Sequence, residues 1–254
     1  MISIRGLCKR HGQRAVLDDI TATVERGEIV AIVGPSGGGK STLLRCLNAL
    51  DDFDAGEIDI AGFSLRPAPT PALRKQHRRL RAAVGLVFQQ FHLFPHLSAA
   101  DNIALAPRLV RGAGRAEARR RAAELLAQVG LGDRGDAFAH QLSGGQQQRV
   151  AIARALAGAP EVLLFDEPTS ALDPEMRDEV MQVIREVAGG GITMLVVTHE
   201  MQLVANVATR IWVLDGGHLV EQGPASEVLA QPKSSVGRDF FARIRAPEPS
   251  PGSK

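Results

Sequence analysis

The run Ile29-Val-Ala-Ile-Val33 is apolar at every position and stops at Gly34, the first residue of Gly34-Pro-Ser-Gly-Gly-Gly-Lys40-Ser41. A strand without polar alternation is buried on both faces, the condition of a parallel sheet covered by helices. Ser41 to Leu50 then reads as a helix, with Leu43, Leu44 and Leu47 on one face. Strand, glycine-rich turn and helix in that order are the setting in which G-x-x-x-x-G-K-[ST] cradles phosphate. Backbone N–H groups of the glycines wrap the oxyanion, and the helix N-terminus adds its positive end. Gly34, Ser36, Gly37 and Gly39 are expected to supply the cradle, with Lys40 reaching the β- and γ-phosphates of a nucleotide. Ser41 is placed to ligate Mg2+ and Thr42 to bond the α-phosphate.

Later apolar runs end in the same way. Val162-Leu-Leu-Phe165 leads into Asp166-Glu167. Asp166 emerges at the carboxyl end of a buried strand, where open α/β sheets bind ligands, and is a candidate to hold Mg2+ through water. Glu167 is the candidate base that polarises an attacking water. Met194-Leu-Val-Val-Thr198 leads into His199, and Ala83-Val-Gly-Leu-Val-Phe88 into Gln89. A histidine after a strand is usually structural, so its role rests on the company it keeps.

Strands alternating with helices make the fold class α/β with a parallel core. Residues 2–8 and 20–24 read as strands of an early antiparallel sheet, and residues 98–157 as helical. In Arg115–Val129 the residues Ala118, Ala122, Leu125, Leu126 and Val129 form one apolar stripe, which leaves Arg119-Arg120-Arg121 on a solvated face. Prolines at 67, 69 and 71 forbid a continuous element across 64–80. Strand signals return at 162–165 and 192–197, and a helix follows at 200–208. Ile211–Asp215 and His218–Glu221 then form a hairpin over Gly216-Gly217. The proline-rich tail, 246–254, has nothing to bury and is expected to be disordered.

Composition excludes some functions. A chain of 254 residues can bury one large core or a core with an inserted lobe. No apolar run approaches the ~20 residues that span a bilayer, and the start, Met1-Ile-Ser-Ile-Arg-Gly, is not that of a signal peptide. A membrane role must therefore come through a partner. The net charge of +2 argues against a dedicated nucleic-acid surface. Cys8 and Cys46 lack metal-ligand spacing and read as reduced structural thiols of a cytosolic protein.

Between the phosphate loop and Asp166-Glu167 lies Leu142-Ser143-Gly144-Gly145-Gln146-Gln147-Gln148-Arg149. In this order and spacing the three motifs resemble the ATP-binding subunit of an ABC transporter, over about residues 2–245. The resemblance implies a RecA-like P-loop core, about 1–90 and 158–225, with an antiparallel β subdomain and a helical lobe inserted at about 91–157. It implies ATP with Mg2+ as the ligands and hydrolysis to ADP and phosphate. Ser143, Gly144 and Gly145 make a second anion site that lies too far from Lys40 to share a phosphate within one chain. The implied assembly is thus a head-to-tail homodimer with two ATPs between the subunits and Ser170–Asp173 at the seam. By the same resemblance His199 contacts the γ-phosphate, and Gln89, or its neighbour Gln90, senses Mg2+ and the γ-phosphate and moves the lobe. His11 stands where the family often stacks an aromatic residue on adenine, and imidazole offers a smaller face.

Within the family the chain is most similar to the polar amino acid importers, through Val87–His96, Asp101–Pro107, the glutamines 146–148 and Val197–Met201. That likeness implies integral membrane permease subunits and an extracytoplasmic solute-binding protein as partners, no nucleic acid, and a peripheral place on the cytoplasmic face of the inner membrane. Phe91–Leu97 is unusually apolar for a loop, and reads either as buried core or as a docking groove for a permease helix. Two alternatives stand beside this reading. One is the ATPase of an exporter-like or cell-division complex. The other is a soluble DNA-maintenance ATPase, which needs long coiled coils or tandem heads that this chain lacks.

Overall fold

Two long strands open the chain, β1 (Ile2–His11) and β2 (Arg14–Val24), and both outrun the expected 2–8 and 20–24. The computed structural model describes residues 1–68 and 70–245; Pro69 and the tail expected to be disordered, 246–254, lie outside the described residues. Ile2, Ile4 and Leu7 on β1 and Ile20, Ala22 and Val24 on β2 are buried, so one face of this hairpin rests on the core. The chain then leaves for a second sheet through β3 (Ile29–Val33), buried at all five positions. It returns as β4 (Ala55–Ile60) and β5 (Phe63–Leu65) to complete a four-stranded antiparallel sheet in the order β2-β1-β4-β5.

The second sheet adds β6 (Val84–Val87), β7 (Val162–Asp166), β8 (Thr193–Val197), β9 (Arg210–Asp215) and β10 (His218–Pro224). Its order is β10-β9-β3-β8-β7-β6, parallel except for the β9–β10 hairpin. The carboxyl ends of β3, β8, β7 and β6 therefore lie side by side on one edge. The helices α1 (Lys40–Leu47), α2 (Pro71–Ala83), α3 (Ala99–Arg111), α4 (Arg115–Gln128), α5 (Gly144–Ala157) and α6 (Pro174–Gly189) are followed by α7 (Met201–Val207), α8 (Ala225–Ala230) and α9 (Ser235–Arg245). Leu43, Leu44 and Leu47 of α1 are fully buried in one cluster with Val30, Ile32 and Trp212, which anchors the helix that follows the glycine-rich loop. No helix among the described residues is long and apolar enough to cross a membrane.

Residues 64–80 are more ordered than the three prolines suggest. α2 begins at Pro71 and runs to Ala83, burying Leu80 fully. Proline is tolerated at the first helical position because its missing N–H has no intrahelical partner there. α6 was not anticipated at all. It starts with Pro174 at its first position and buries Val180, Met181, Ile184 and Val187 at helical spacing.

Between β6 and β7, α3, α4 and α5 pack together. Ala118, Ala122, Leu125, Leu126 and Val129 are all buried, as the stripe requires, while Arg119 and Arg120 are exposed. In the loop 91–97, Phe91 and Leu93 pack against the core, whereas Phe94 stays 46% exposed. Fully buried Asn102 holds this loop. Its Oδ1 accepts from the Phe94 amide at 2.8 Å, and its Nδ2 donates to the carbonyls of Phe94, Leu97 and Ser98 at 3.2, 3.2 and 3.0 Å. The Arg154 guanidinium donates to the carbonyls of Phe91 and His92 from the α5 side. The two sheets meet at Val16 of β2. A Cβ on Gly39 or on Gly217 would stand 2.6 or 2.8 Å from its carbonyl oxygen, and the Asp18 amide donates to the Gly217 carbonyl at 2.9 Å.

Candidate nucleotide site

The loop leaving β3 is closely fitted to its neighbours. Gly34 has φ +134°, and a Cβ there would lie 2.0 Å from the Leu214 carbonyl oxygen; Gly39 has φ +96° and abuts Val16. Only glycine meets both conditions, positive φ and no side-chain space. Residues Ser36 to Thr42 floor a cavity of about 450 Å³, with His11, Arg14 and Val16 on one wall and Glu167 on another. The expected contacts Ser36, Gly37, Gly39, Lys40, Ser41, Thr42 and His11 thus share one cavity. Gly34 lines an adjoining one.

Lys40 is only 5% exposed, and its Nζ donates to the carbonyls of Gly34 and Pro35 at 2.8 and 2.9 Å. Burial pushes its pKa down, and the nearby charges of Glu167 and Asp166 oppose that shift. Beneath the loop, Ser41 Oγ donates to Asp166 Oδ1 at 2.6 Å. Burial pushes the Asp166 carboxyl up, while the Ser41 hydrogen bond and the Arg45 charge pull it back. A hydroxyl and a carboxylate oxygen are the hard donors that Mg2+ takes. The described residues contain no cluster of three or more His, Cys, Asp or Glu that would cage a metal. That donor set fits an ion that fills most of its positions with water and phosphate oxygens.

Glu167 follows β7 in the left-handed conformation, φ +48°. A non-glycine residue there costs on the order of 1–3 kcal/mol and persists only where its surroundings hold it. Its amide donates to the Val197 carbonyl at 2.9 Å, and Ser170 Oγ donates to its own carbonyl at 3.0 Å. The register of β7 on β8 pairs Asp166 with Val197, which brings the residue two positions later into reach. His199 Nε2 lies 3.4 Å from Glu167 Oε1. The structure thus brings together Lys40 and Ser41 from the start of α1 with Asp166, Glu167 and His199 from the carboxyl ends of β7 and β8.

Two expected groups stand apart. Gln89 is exposed and outside the cavity lining. Its strand, β6, is the sheet edge, three strand spacings or roughly 14 Å from β3. Ser143, Gly144 and Gly145 are also outside that lining. Ser143 caps α5 reciprocally with Gln146: its Oγ accepts from the Gln146 amide at 3.2 Å, and Gln146 Oε1 accepts from its amide at 3.0 Å. Gly144 faces Leu172 and Gly145 faces Met176, so the segment Ser170–Asp173 and the start of α6 back this loop.

Arg14 was missed. It pairs with His11 across the β1–β2 turn and lines the cavity, and its side chain makes no hydrogen bond or ion pair among the described residues. Its Nη2 stands 4.0 Å from where a Cβ on Gly37 would be. With the strands expected to stop at 8 and restart at 20, that pairing was invisible; the signal was Gly12 in a two-residue turn.

Known proteins of one family share this sequence and fold. The ABC transporter family profile matches residues 17–170. The L-cystine import ATP-binding protein TcyC of Bacillus subtilis (strain 168) is 46% identical over 247 residues, 97% of this chain and all of that one. The glutamine transport ATP-binding protein GlnQ of Escherichia coli (strain K12) is 45% identical over 244 residues, 96% of this chain and all of the relative. The glutamate/aspartate import ATP-binding protein GltL of the same organism is 47% identical over 96% of this chain and 99% of its own. Among solved structures, the dimeric ATP-binding cassette MJ0796, in a post-hydrolysis state with ADP and phosphate, superposes with a TM-score of 0.77 at 36% identity, covering 89% of this chain and 99% of that one. The chain belongs to the ABC transporter family, as one of its ATP-hydrolysing subunits.

Proposed function

We propose that this subunit powers the uptake of a polar amino acid through separate membrane subunits. One observation carries that reading: end-to-end identity near 46% to subunits named for importing cystine, glutamine and glutamate or aspartate. Residues 1–90 and 158–225 serve as the ATP-binding core, with α8 and α9 packed on it, and 91–157 as the lobe that meets the permease. The exposed Phe94, held in place by Asn102, is the docking residue, and Gln89 lies at the lobe's entry to register closure. The protein sits on the cytoplasmic face of the inner membrane, and an extracytoplasmic solute-binding protein delivers the amino acid. If uptake of labelled cystine, glutamine, arginine and glutamate is unchanged in cells whose only copy carries Glu167→Gln, the amino acid reading is wrong; loss of at least one is expected.

In the pocket the Ser36–Gly39 amides and Lys40 hold the β- and γ-phosphates, Thr42 the α-phosphate, and His11 with Arg14 the adenosine end. Ser41 and Asp166 would hold Mg2+, which would supply charge neutralisation at the phosphates. Glu167 takes the proton of the attacking water, and His199 fixes the water and the γ-phosphate beside it. Ser143, Gly144 and Gly145 of a second copy close the sandwich in a homodimer.

Signature-loop variants should therefore act in trans. Ser143→Arg puts a bulky cation where the partner's γ-phosphate lies, and it also removes the α5 cap, a loss of about 1 kcal/mol in stability. The monomer should still bind ATP and fail to hydrolyse it. Mixed with Lys40→Ala, it should recover part of the activity, because both defects segregate to one composite site. Loss of ATP binding by the Ser143→Arg monomer, with its thermal midpoint near wild type, would place the loop in the chain's own pocket.

A further inference from the structure

The role of His199 depends on where its ring points, yet its side chain is 41% exposed and Glu167 touches it from one side only. The other neighbour comes from the far end of the chain. Phe240 on α9 places its ring 5.9 Å from the His199 ring, tilted by 41°. Phe240 is 9% exposed and packs edge-on against Phe241, whose ring centroid is 5.4 Å away. Both belong to a cluster with Ala31 and Val33 of β3 and Ile211 and Val213 of β9. The same helix walls a second cavity of about 390 Å³, in which Val236, Asp239 and Phe240 face Gly34, Pro35, Ser36 and His199. α9 thus closes one side of the edge that carries the phosphate loop.

The turn leading into α9 is pinned by a buried carboxylate. Glu221 of β10 accepts from the amides of Lys233 and Ser234 at 2.7 and 2.9 Å and from Ser234 Oγ at 2.6 Å. Ser234 Oγ in turn accepts from the Gly237 amide at 2.9 Å, in the first turn of α9. Burial pushes the Glu221 carboxyl up, but the Ser234 hydroxyl, the two amides and the Lys233 charge outweigh it and hold it below the usual carboxylate range. A charged acceptor with three donors is a firm anchor, because a carboxylate bonds more strongly than a neutral oxygen.

We propose that α9 braces the catalytic edge, with Phe240 as a positioning residue that holds the His199 ring toward Glu167. This rests on the reading of His199 given above. The ring is then confined between a carboxylate and a tilted aromatic ring, and removing Phe240 frees its side-chain torsions without touching the phosphate cradle.

The test uses the full chain and compares ATP hydrolysis by Phe240→Ala, Phe240→Tyr, Phe241→Ala, His199→Ala and the double variant Phe240→Ala/His199→Ala. Phe240→Ala should lower kcat about tenfold, the scale of a small misplacement of a reacting group, with the KM for ATP unchanged. Phe240→Tyr, which keeps the ring, should restore turnover. Phe241→Ala removes comparable core packing without contacting His199, and should lower the thermal midpoint but not kcat. In the His199→Ala background the Phe240 change should have no further effect. A His199→Ala variant that is impaired beside a Phe240→Ala variant with wild-type kcat would overturn the brace alone. Equal kcat losses for the two phenylalanines, additive with His199→Ala, would do the same. Full turnover by His199→Ala would overturn the reading of the site, and the brace with it.

Discussion

Glu167→Gln is expected to bind ATP as tightly as wild type and to hydrolyse it at least ~10²-fold more slowly, the usual scale for a general base. The substitution leaves the surroundings of the side chain intact. The backbone at φ +48° is fixed by the Val197 carbonyl and by Ser170, neither of which touches the carboxylate. A glutamine oxygen also still reaches His199. Only the basicity is lost, so the fold and the thermal midpoint should not move. With hydrolysis blocked, the variant should accumulate as an ATP-bound dimer that elutes near twice the monomer mass on gel filtration. Turnover close to wild type would remove Glu167 from the chemistry.

Lys40→Met should raise the Kd for ATP by ~10²-fold or more, since a hydrogen bond to a charged group is worth about 1.5–3 kcal/mol and this ammonium serves two phosphates. Methionine is the better probe because Lys40 is 5% exposed: its stem packs, and alanine would open space beside α1. The lost bonds to the Gly34 and Pro35 carbonyls act on a loop whose shape is set mainly by its glycines. Equilibrium binding of a fluorescent ATP analogue reads the effect, and an unchanged Kd would show that the ammonium does not meet the phosphates.

The phosphate loop and Asp166-Glu167 were legible because each follows a short strand buried at every position, and such strands show no alternation. The stripe on α4 was legible for the complementary reason, a clean helical period. α2 was obscured by reading Pro71 as a breaker when it sits at the one helical position that tolerates it. α6 carries a similar signal, Asp173-Pro174 followed by apolar residues at helical spacing, with the proline again at the first helical position. The approach of His199 to Glu167 depends on the register of β7 on β8, and that of Phe240 to His199 on where α9 docks. Neither is a local property of the chain. Gln89 shows the limit from the other side: its position after a strand was read well enough, but the sheet order that sets β6 at the edge was not in the pattern.

The Val16 carbonyl, wedged between Gly39 and Gly217, ties the hairpin that carries His11 and Arg14 to the phosphate loop and to the β9–β10 turn. The hairpin wall and the phosphate-loop floor of the pocket are therefore parts of one preformed mould, and little ordering entropy is left to be lost when a nucleotide enters. A mould of this kind grips whatever shares an adenosine and two phosphates. ADP should compete with ATP for this mould, losing only the contacts that Lys40 and the loop would make with the third phosphate. On the proposed reading, the rest of the discrimination between the two falls to Glu167 and His199 and to the second copy that would close over them.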